Sequence, residues 1–452
     1  FALFLAFCAV IASTAGQSVT RGRPGFGSSA PLRPLPPLRS TSALSGEAIS
    51  VSSFGAAGDG STDNTNAFQQ ALNAAGANGS VVFVPAGVYL FRGHLQIPEG
   101  VTLEGTYRAV PSNAMGQGAG KPTKGSVLQP TADRGNAAGQ PFITMTTNTV
   151  VRGFCMHYPD VDSDQAPTPY PFTIQMAGNN PAVEDVELLN SFNGINATEA
   201  ARHYIARVQG QPTNIGVYVD KTYDIGRIED VHFNPWYNPS KSFMAHQLAN
   251  GQAFVFARTD WEYVFNTFAF GYAVGYRFIE SDAGSCNGNF LGIGADMAAN
   301  ASVLVEAADP WGILITNGEF TSFVDPNFGQ ELTQSTQVVV AASNHGAVRF
   351  SNSAFWGPSW QVANIAGAGT VGFSDCTFSQ WDAKDKGLPA ISVGGSASLV
   401  ASGNEFQQKG VQVHLASSVR RAVITGNIMA GPVNIANDGA KQVQVGLNAG
   451  DE

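Results

Sequence analysis

The chain has 452 residues, including 51 glycines and 24 prolines, and only 13% of its residues are charged. A chain of this length can bury a large core, and its many turn-forming residues argue against a fold dominated by long helices. The net charge of -10 argues against nucleic acids and anionic membranes as partners. It also disfavours a polyanionic ligand unless cations intervene.

The first residues form an apolar segment of the kind that directs export. In "FALFLAFCAVIASTAGQS" roughly a dozen apolar residues precede an A-x-A-like site, so residues 1–16 are predicted to be a signal peptide and the protein to be secreted. The stretch is short for a membrane span. Residues 17–46 are rich in Pro, Ser and Gly and hold four arginines and no acid. This composition predicts a linker or pro-segment that ends at residue 47.

Three cysteines remain beyond the predicted signal peptide: Cys155, Cys286 and Cys376. An odd number so widely spaced is not a disulfide framework and allows one bridge at most. No C-x-x-C spacing indicates zinc.

The folded domain is predicted to span residues 48–452. Asp63 or Thr65 can cap a short helix that carries Ala67, Phe68, Ala71 and Leu72 on one face. Strands in "SVVFVP" and "GVYLF" follow, separated by Gly and Pro. A helix before short strands is typical of the cap that covers the open first coil of a solenoid.

This segment resembles the start of the pectate-lyase-like domain shared by rhamnogalacturonase and polygalacturonase relatives. The resemblance rests on "FGAAGDGSTDNTNAFQQAL" and "VVFVPAGVY" and covers residues 49 to about 130. It implies an all-β fold, a single-stranded right-handed parallel β-helix with a short N-terminal capping helix.

A repeat along the rest of the chain indicates the same architecture. A Gly, Asp or Asn recurs three residues before an apolar residue, at positions 153, 185, 230, 294, 317, 352, 375, 403 and 426. Each follows a strand with period-2 alternation and tolerates a positive φ, as the corner of a stacked coil requires. The coil "TQVVVAASNHGAVRFSNSAFWG" reads as strand, turn, strand, corner, strand. Asp185 and Asp230 are therefore assigned to corners rather than to catalysis.

A different pair of carboxylates emerges from the repeat. Asp224 and Asp260 each lie six residues before a corner, so both are predicted in the turn of neighbouring coils, whose strands lie ~4.8 Å apart. Carboxylates this close can divide the acid and base roles of a reaction. The alternative is a purely structural role, since Asp is common in turns.

Basic and further acidic residues accompany this pair. Lys221 and Arg258 precede Asp224 and Asp260 at nearly matched positions, and they either serve chemistry or simply neutralise the carboxylates. Asp282 and Asp309 extend an acidic stripe along the next two coils.

Glu262 has two possible orientations. If Asn266 is the corner, Glu262 lies on the inward face, where an unpaired carboxylate is costly. If Phe265 is the corner, Glu262 points outward, but a bulky residue then needs an unfavourable backbone angle. Glu262 is a secondary catalytic candidate.

Aromatic residues near these coils are candidates for sugar binding. Trp236 and Tyr237 lie in an insertion, residues 233–251, and Trp261 follows Asp260 directly. Aromatic faces bind the apolar faces of sugar rings, although core or loop packing is the alternative for each. Tyr263, Tyr272, Tyr276 and Trp311 lie nearby, and His232 and His246 are expected to be solvated.

No metal site is predicted. Asp160, Asp162 and Asp164 in "PDVDSDQ" do not match an EF-hand, because Gln165 and Pro171 occupy its Gly and Glu positions. The family's hydrolase motifs are also incomplete: "NHG" at 344–346 replaces G-H-G, and "GRIED" lacks the lysine of R-I-K. The resemblance therefore assigns no catalytic residue.

The sequence favours a secreted polysaccharide-active enzyme. In a glycoside hydrolase, Asp260 and Asp224 would divide the acid and base roles, and Trp236, Tyr237, Trp261 and Asp282 would bind substrate. In a lyase, Arg258 or Lys221 would remove the proton α to a uronate carboxyl, with calcium as the cation that neutralises it. The alternative is a non-catalytic extracellular protein, a glycan-binding or structural β-helix.

Overall fold

The structure is a computed structural model that describes residues 48–108, 122–159, 165–323 and 335–451. The predicted signal peptide and Pro-rich segment, and the three aspartates of the predicted acidic loop, lie outside the described residues. No helix of the described part is long and apolar enough to cross a membrane.

Two large parallel sheets run the length of the described domain. One has 13 strands and the other has 26, and both are built by successive turns of the chain. Each residue pairs with one in the next coil, as Val348 pairs with Val371 and Val371 with Leu399. This register makes the fold a parallel β-helix, as the repeat predicted.

The strands of the 13-stranded sheet are Leu95–Gln96, Ile143–Thr144, Phe172–Gln175, Asn193–Thr198, Ile215–Asp220, Gln252–Phe256, Val274–Phe278, Ala301–Val305, Thr336–Val340, Gln361–Ile365, Ile391–Val393, Val413–Leu415 and Ile435–Asn437. Those of the 26-stranded sheet are Ile49–Ser50, Asp59–Asp63, Val81–Phe83, Gly87–Phe91, Thr102–Glu104, Ser126–Pro130, Val150–His157, Ala182–Leu189, Tyr204–Gly210, Arg227–Phe233, Thr259–Phe265, Phe268–Phe270, Cys286–Leu291, Gly294–Asp296, Ile313–Thr316, Glu319–Phe320, Val348–Ser351, Ala354–Phe355, Thr370–Ser374, Thr377–Phe378, Ser398–Ser402, Glu405–Phe406, Arg421–Thr425, Ile428–Met429, Val443–Gly446 and Ala449–Gly450. A small third sheet pairs Gly178–Asn179 with Ala200–Ala201.

The predicted capping helix is present at Thr65–Gly76. It buries Phe68, Ala71 and Leu72 against the first coil. The Asp63 carboxylate accepts hydrogen bonds from the backbone N–H and the hydroxyl of Thr65, which satisfies donors at the start of the helix. The other helices in the described part of the chain are a 3₁₀ turn at Val51–Phe54 and an α-helix at Lys241–Asn250 inside the predicted insertion.

The corners of the 26-stranded sheet have positive φ, as predicted for Asp185, Asp230 and Asn317. One assignment was wrong: Gly292, with φ of 62°, is the corner, whereas Gly294 lies within a strand and pairs with Phe268. One corner was missed. Arg207 has φ of 53°, and its guanidinium donates to both Asp185 and Glu184, which offsets the backbone strain.

The interior of the coils is filled by stacked apolar side chains. Phe350 stacks on Phe373 with ring centroids 5.2 Å apart, and further rings continue the column. The three cysteines beyond the predicted signal peptide are free and buried, so they form no bridge.

Candidate functional site

The candidate site lies at the first turn, the turn that leads from each strand of the 13-stranded sheet into the 26-stranded sheet. We call the group of Arg258, Asp260, Asn287 and Asp309 the Asp260–Asp309 cluster. Its members come from three successive coils, which the parallel register brings together although 51 positions separate the first and last.

A β-bulge exposes two of the predicted site residues. The strand Thr259–Phe265 changes register against Cys286–Leu291 between Thr259 and Glu262. Trp261 has a positive φ of 52° in this bulge, and its backbone N–H donates to Asn287 Oδ1 at 3.0 Å. The Trp261 side chain is 61% exposed as a result.

Asn287 joins the two carboxylates of the cluster. Its Nδ2 donates to Asp260 Oδ1 at 2.9 Å and to Asp309 Oδ2 at 3.1 Å. Because both bonds share one nitrogen, Asp260 Oδ1 and Asp309 Oδ2 lie about 6 Å apart or less. Ser285 Oγ also donates to Asp309 Oδ1 at 2.7 Å.

Arg258 lies between the same two carboxylates. Its Nη1 is 3.5 Å from Asp309 Oδ2, and its Nη2 is 4.0 Å from Asp260 Oδ2. The side chain is only 19% exposed, and Nη1 also donates to the carbonyl of Thr259. The exposed ring of Tyr223 covers the guanidinium at 5.4 Å, a cation–π contact. Arg258 therefore neutralises the carboxylates and is not a free base.

Lys221 forms an ion pair with Asp282. Its Nζ lies 3.2 Å from the Asp282 carboxylate. The hydrogen bond from Lys221 to Asp282, with the charge of Asp282, raises the pKa of Lys221. The amine stays charged at neutral pH, which disfavours a role for it as a base.

Asp220 anchors this turn and was missed by the sequence reasoning. Its buried Oδ1 accepts from the Lys221 N–H at 2.8 Å and from the Arg258 N–H at 3.0 Å. Ser281 Oγ of the next coil donates to the same oxygen at 2.8 Å. Hydrogen bonds to this one carboxylate thus link three coils.

Asp224 contacts the preceding coil rather than the cluster. Its carboxylate pairs with the Arg202 guanidinium, and its carbonyl accepts from the Arg202 N–H at 2.8 Å. The carboxylate that the structure joins to Asp260 is Asp309. The catalytic role of Asp224 remains a prediction.

Glu262 lies inside the coil, because Asn266, with φ of 50°, is the corner. Its side chain is fully buried, and Oε1 lies 2.9 Å from Nε2 of the equally buried His203. Burial lowers the pKa of His203, but the charge and hydrogen bond of Glu262 outweigh burial and raise it overall. Glu262 Oε2 has no hydrogen-bond partner among the residues that the structure describes.

The predicted aromatic residues divide into two groups. Trp236 and Tyr237 are half-buried in the insertion: Trp236 packs edge-on against His232, and the Tyr237 hydroxyl bonds His157 at 3.1 Å. Packing therefore accounts for both, and their predicted substrate-binding role remains a prediction. Tyr272 and Tyr276 are fully buried, whereas Trp261, Tyr263 and Trp311 are exposed.

The two histidines near the insertion are not solvated as expected. Burial lowers the pKa of both His232 and His246. Among the described residues, no group of three or more His, Cys, Asp or Glu is placed to hold a metal ion.

Two comparisons concern the chain as a sequence. Residues 48–266 match the family described as rhamnogalacturonase A/epimerase, pectate lyase-like. The matched residues include the capping helix and the coils up to residue 266, and the coil architecture continues the parallel β-helix beyond them. A 59-residue segment is 42% identical to the non-secreted LysM effector LysM19 of Penicillium expansum, covering 13% of this chain and 5% of that protein. The chain thus spans a small part of that relative's length.

Solved structures share the fold at low sequence identity. The catalytic unit of a GH87 alpha-1,3-glucanase from Streptomyces thermodiastaticus has a TM-score of 0.54 at 14% identity, covering 88% of this chain and 71% of that one. The bacteriophage phi29 gene product 12 N-terminal fragment has a TM-score of 0.53 at 14% identity, covering 88% and 72%. DFA-IIIase from Arthrobacter chlorophenolicus, without its lid, has a TM-score of 0.50 at 10% identity, covering 86% and 98%. These likenesses show the fold alone.

Proposed function

We propose that the protein is a polysaccharide-active enzyme, a glycoside hydrolase that uses Asp260 and Asp309. The observation that carries this proposal is the shared hydrogen-bond donor, Asn287 Nδ2, which holds one oxygen of each carboxylate about 6 Å or less from the other. Retaining glycosidases place their carboxyl groups ~5–5.5 Å apart, whereas inverting enzymes leave ~6.5–9.5 Å for a water molecule. The bound on the oxygen separation is compatible with the retaining arrangement, which is the one proposed here.

The surroundings of the two carboxylates suggest their roles. Asp309 has three nearby donors, from Ser285, Asn287 and Arg258, and these hold its carboxylate in place as the proposed nucleophile. Within the described ranges, Asn287 alone donates to the Asp260 carboxylate at hydrogen-bond distance, and the Asp260 side chain is 44% exposed. Asp260 is thus placed to protonate the leaving glycosidic oxygen. It then takes a proton from the water that hydrolyses the glycosyl ester on Asp309.

Exposed aromatic rings beside the cluster provide binding surfaces for sugar rings. Trp261 follows Asp260 directly, and Tyr223 covers Arg258. Both rings are exposed next to the carboxylates, where the apolar face of a pyranose can stack on them.

Elimination is less well supported than hydrolysis. A lyase needs a neutral base near the substrate, yet Lys221 and Arg258 are both ion-paired, and the pKa of Lys221 is raised. A non-catalytic glycan-binding role is the second candidate, because Arg258 neutralises both carboxylates. Secretion, from the predicted signal peptide at residues 1–16, completes the proposal.

Purified protein incubated with a panel of neutral and uronic polysaccharides tests the proposal. We expect new reducing ends with wild type and with Asp438→Asn, which alters an exposed carboxylate paired with His414 in a distant coil, and none with Asp260→Asn. Products that absorb in the near ultraviolet would identify a lyase instead. Binding without turnover on every polysaccharide would support the non-catalytic role.

A further inference from the structure

The buried pair of His203 and Glu262 spans two coils. Three successive coils place one residue each at the same position of the strand: His203, Gly226 and Glu262. The residues one position after Gly226 and Glu262, Arg227 and Tyr263, pair in register, which fixes this alignment. Two coil spacings amount to ~9.6 Å, a distance that two side chains can bridge only if the residue between them leaves room.

Gly226 provides that room. A Cβ at this position would lie 2.1 Å from Cε1 of His203 and 2.4 Å from Oε2 of Glu262. The space that a side chain of the middle coil would fill is therefore occupied by the ion pair. Any residue larger than glycine would push the pair apart.

At Glu262 the side chains of the strand resume the inward and outward alternation that the bulge interrupts. Thr259 and Glu262 are both fully buried, so Asp260 and Trp261 between them face outward together. In a strand without the bulge, successive side chains alternate, and one of these two would face inward. The orientation of Asp260 towards Asn287 thus depends on Glu262 staying inside.

We propose that Glu262 and His203 are positioning residues for the Asp260–Asp309 cluster. Their ion pair holds the first residue after the bulge inside the coil, and this keeps Asp260 against Asn287 and Trp261 exposed. The catalytic consequence rests on the proposed hydrolase function. The effect on the bulge does not, because it is a property of the fold.

The experiment combines hydrogen exchange with kinetics well below the melting temperature. The Trp261 N–H, which donates to Asn287, reports the bulge. In Glu262→Leu we expect its exchange to accelerate about tenfold or more. We also expect kcat to fall about 100-fold with little change in KM. Glu262→Gln, whose side chain can still bond His203, should restore most of both.

Gly226→Ala is the second variant, in case Glu262→Leu does not fold. It separates the pair without removing either member, so the Trp261 N–H should again exchange faster. Asn404→Leu is the control, since it removes a buried polar side chain from a distant coil and should leave both readouts unchanged.

The outcomes separate the two proposals. The positioning role is overturned if the Trp261 N–H exchanges at the wild-type rate in both Glu262→Leu and Gly226→Ala. These variants would then differ from wild type only by a lower melting temperature, as Asn404→Leu does. If wild type turns over no polysaccharide, the hydrolase proposal fails, but the exchange measurement still decides whether the pair holds the bulge.

Discussion

The coils of residues 200–320 differ from those of residues 335–451 in how they use the same repeat. In the later coils, two of the spacings between corners are 23 residues, from Asn352 to Asp375 and from Gly403 to Gly426. Their interiors are columns of like residues: stacked phenylalanines, and a ladder in which Asn404 bonds Asn427 and Asn427 bonds Asn448. Because the same side chain recurs in successive coils, each copy packs against or hydrogen-bonds its counterpart in the neighbouring coil.

The earlier coils carry more ion pairs, of which that of His203 and Glu262 lies in the interior and the others lie at or near the surface. Within residues 200–320, ion pairs join Arg202 to Asp224, His203 to Glu262, Lys221 to Asp282, Arg258 to Asp309 and Arg277 to Glu306. Within the described residues 335–451, the one ion pair joins His414 to Asp438. Ion pairs also occur in the first coils, as between Arg152 and Glu104, so charge alone does not mark the site. The Asp260–Asp309 cluster is distinguished by two carboxylates that share one donor, Asn287.

Loss of the buried ion pair should have the largest effect on stability. His203→Ala leaves Glu262 buried without its partner, and we expect the free energy of unfolding to fall by about 3–5 kcal/mol. Denaturant titration measures this change. A loss below about 1 kcal/mol would mean that the pair contributes no more than a surface ion pair.

The asparagine ladder of the regular coils should matter less. Asn427→Ala leaves the backbone N–H of Asn404 without its acceptor, which should cost about 1–3 kcal/mol. The same titration gives the loss, and activity should be unchanged. A fall in activity would show that the regular coils also carry function.

Removal of the exposed ring next to Asp260 should have a moderate effect on binding. Trp261→Ala removes a stacking surface worth about 0.5–1.5 kcal/mol, so KM should rise roughly three- to tenfold with little change in kcat. Trp356→Ala, which removes an exposed ring from one of the later coils, is the comparison. Equal effects of the two substitutions would argue against a binding surface at the bulge.

The smallest expected effect is the pH dependence of the buried pair. The pKa of His203 is raised above its ordinary value of 6.5 in the folded protein. The stability it contributes is therefore fully present below pH 6.5 and is lost as the pH rises through the folded-state pKa. Unfolding of wild type and His203→Gln between pH 5 and 9 should show a difference that shrinks with pH. A difference that grows with pH would contradict the ion pair.

The coil architecture could be predicted from the sequence because its determinants are local. Corners need residues that tolerate positive φ, and strands show alternation, so Asp185 and Asp230 were assigned correctly. The corner at Gly292 was predicted at Gly294 instead, because several glycines lie close together in that part of the sequence. Arg207 was missed because its positive φ depends on carboxylates of the preceding coil.

The site could be predicted only in part, because its contacts cross coils of unequal length. The first turn and the position of Asp260 followed from the repeat. The bulge at Trp261 did not, since one extra residue in a strand changes no local pattern. Asn287 carried no signal either: its role depends on the bulge, which leaves the Trp261 N–H in need of an acceptor. His203 lies 59 positions before Glu262, and only the described register reveals their contact.

The central claim is that Asp260 acts together with Asp309, and a comparison of two variants tests it most directly. The measurement is kcat on the polysaccharide that the panel identifies. We expect Asp309→Asn to lower kcat about 10²- to 10⁴-fold, and Asp224→Asn, which alters a carboxylate paired with Arg202, to change it by about twofold or less. A large loss in Asp224→Asn, with Asp309→Asn near wild type, would contradict this account and restore the pairing that the sequence repeat predicted.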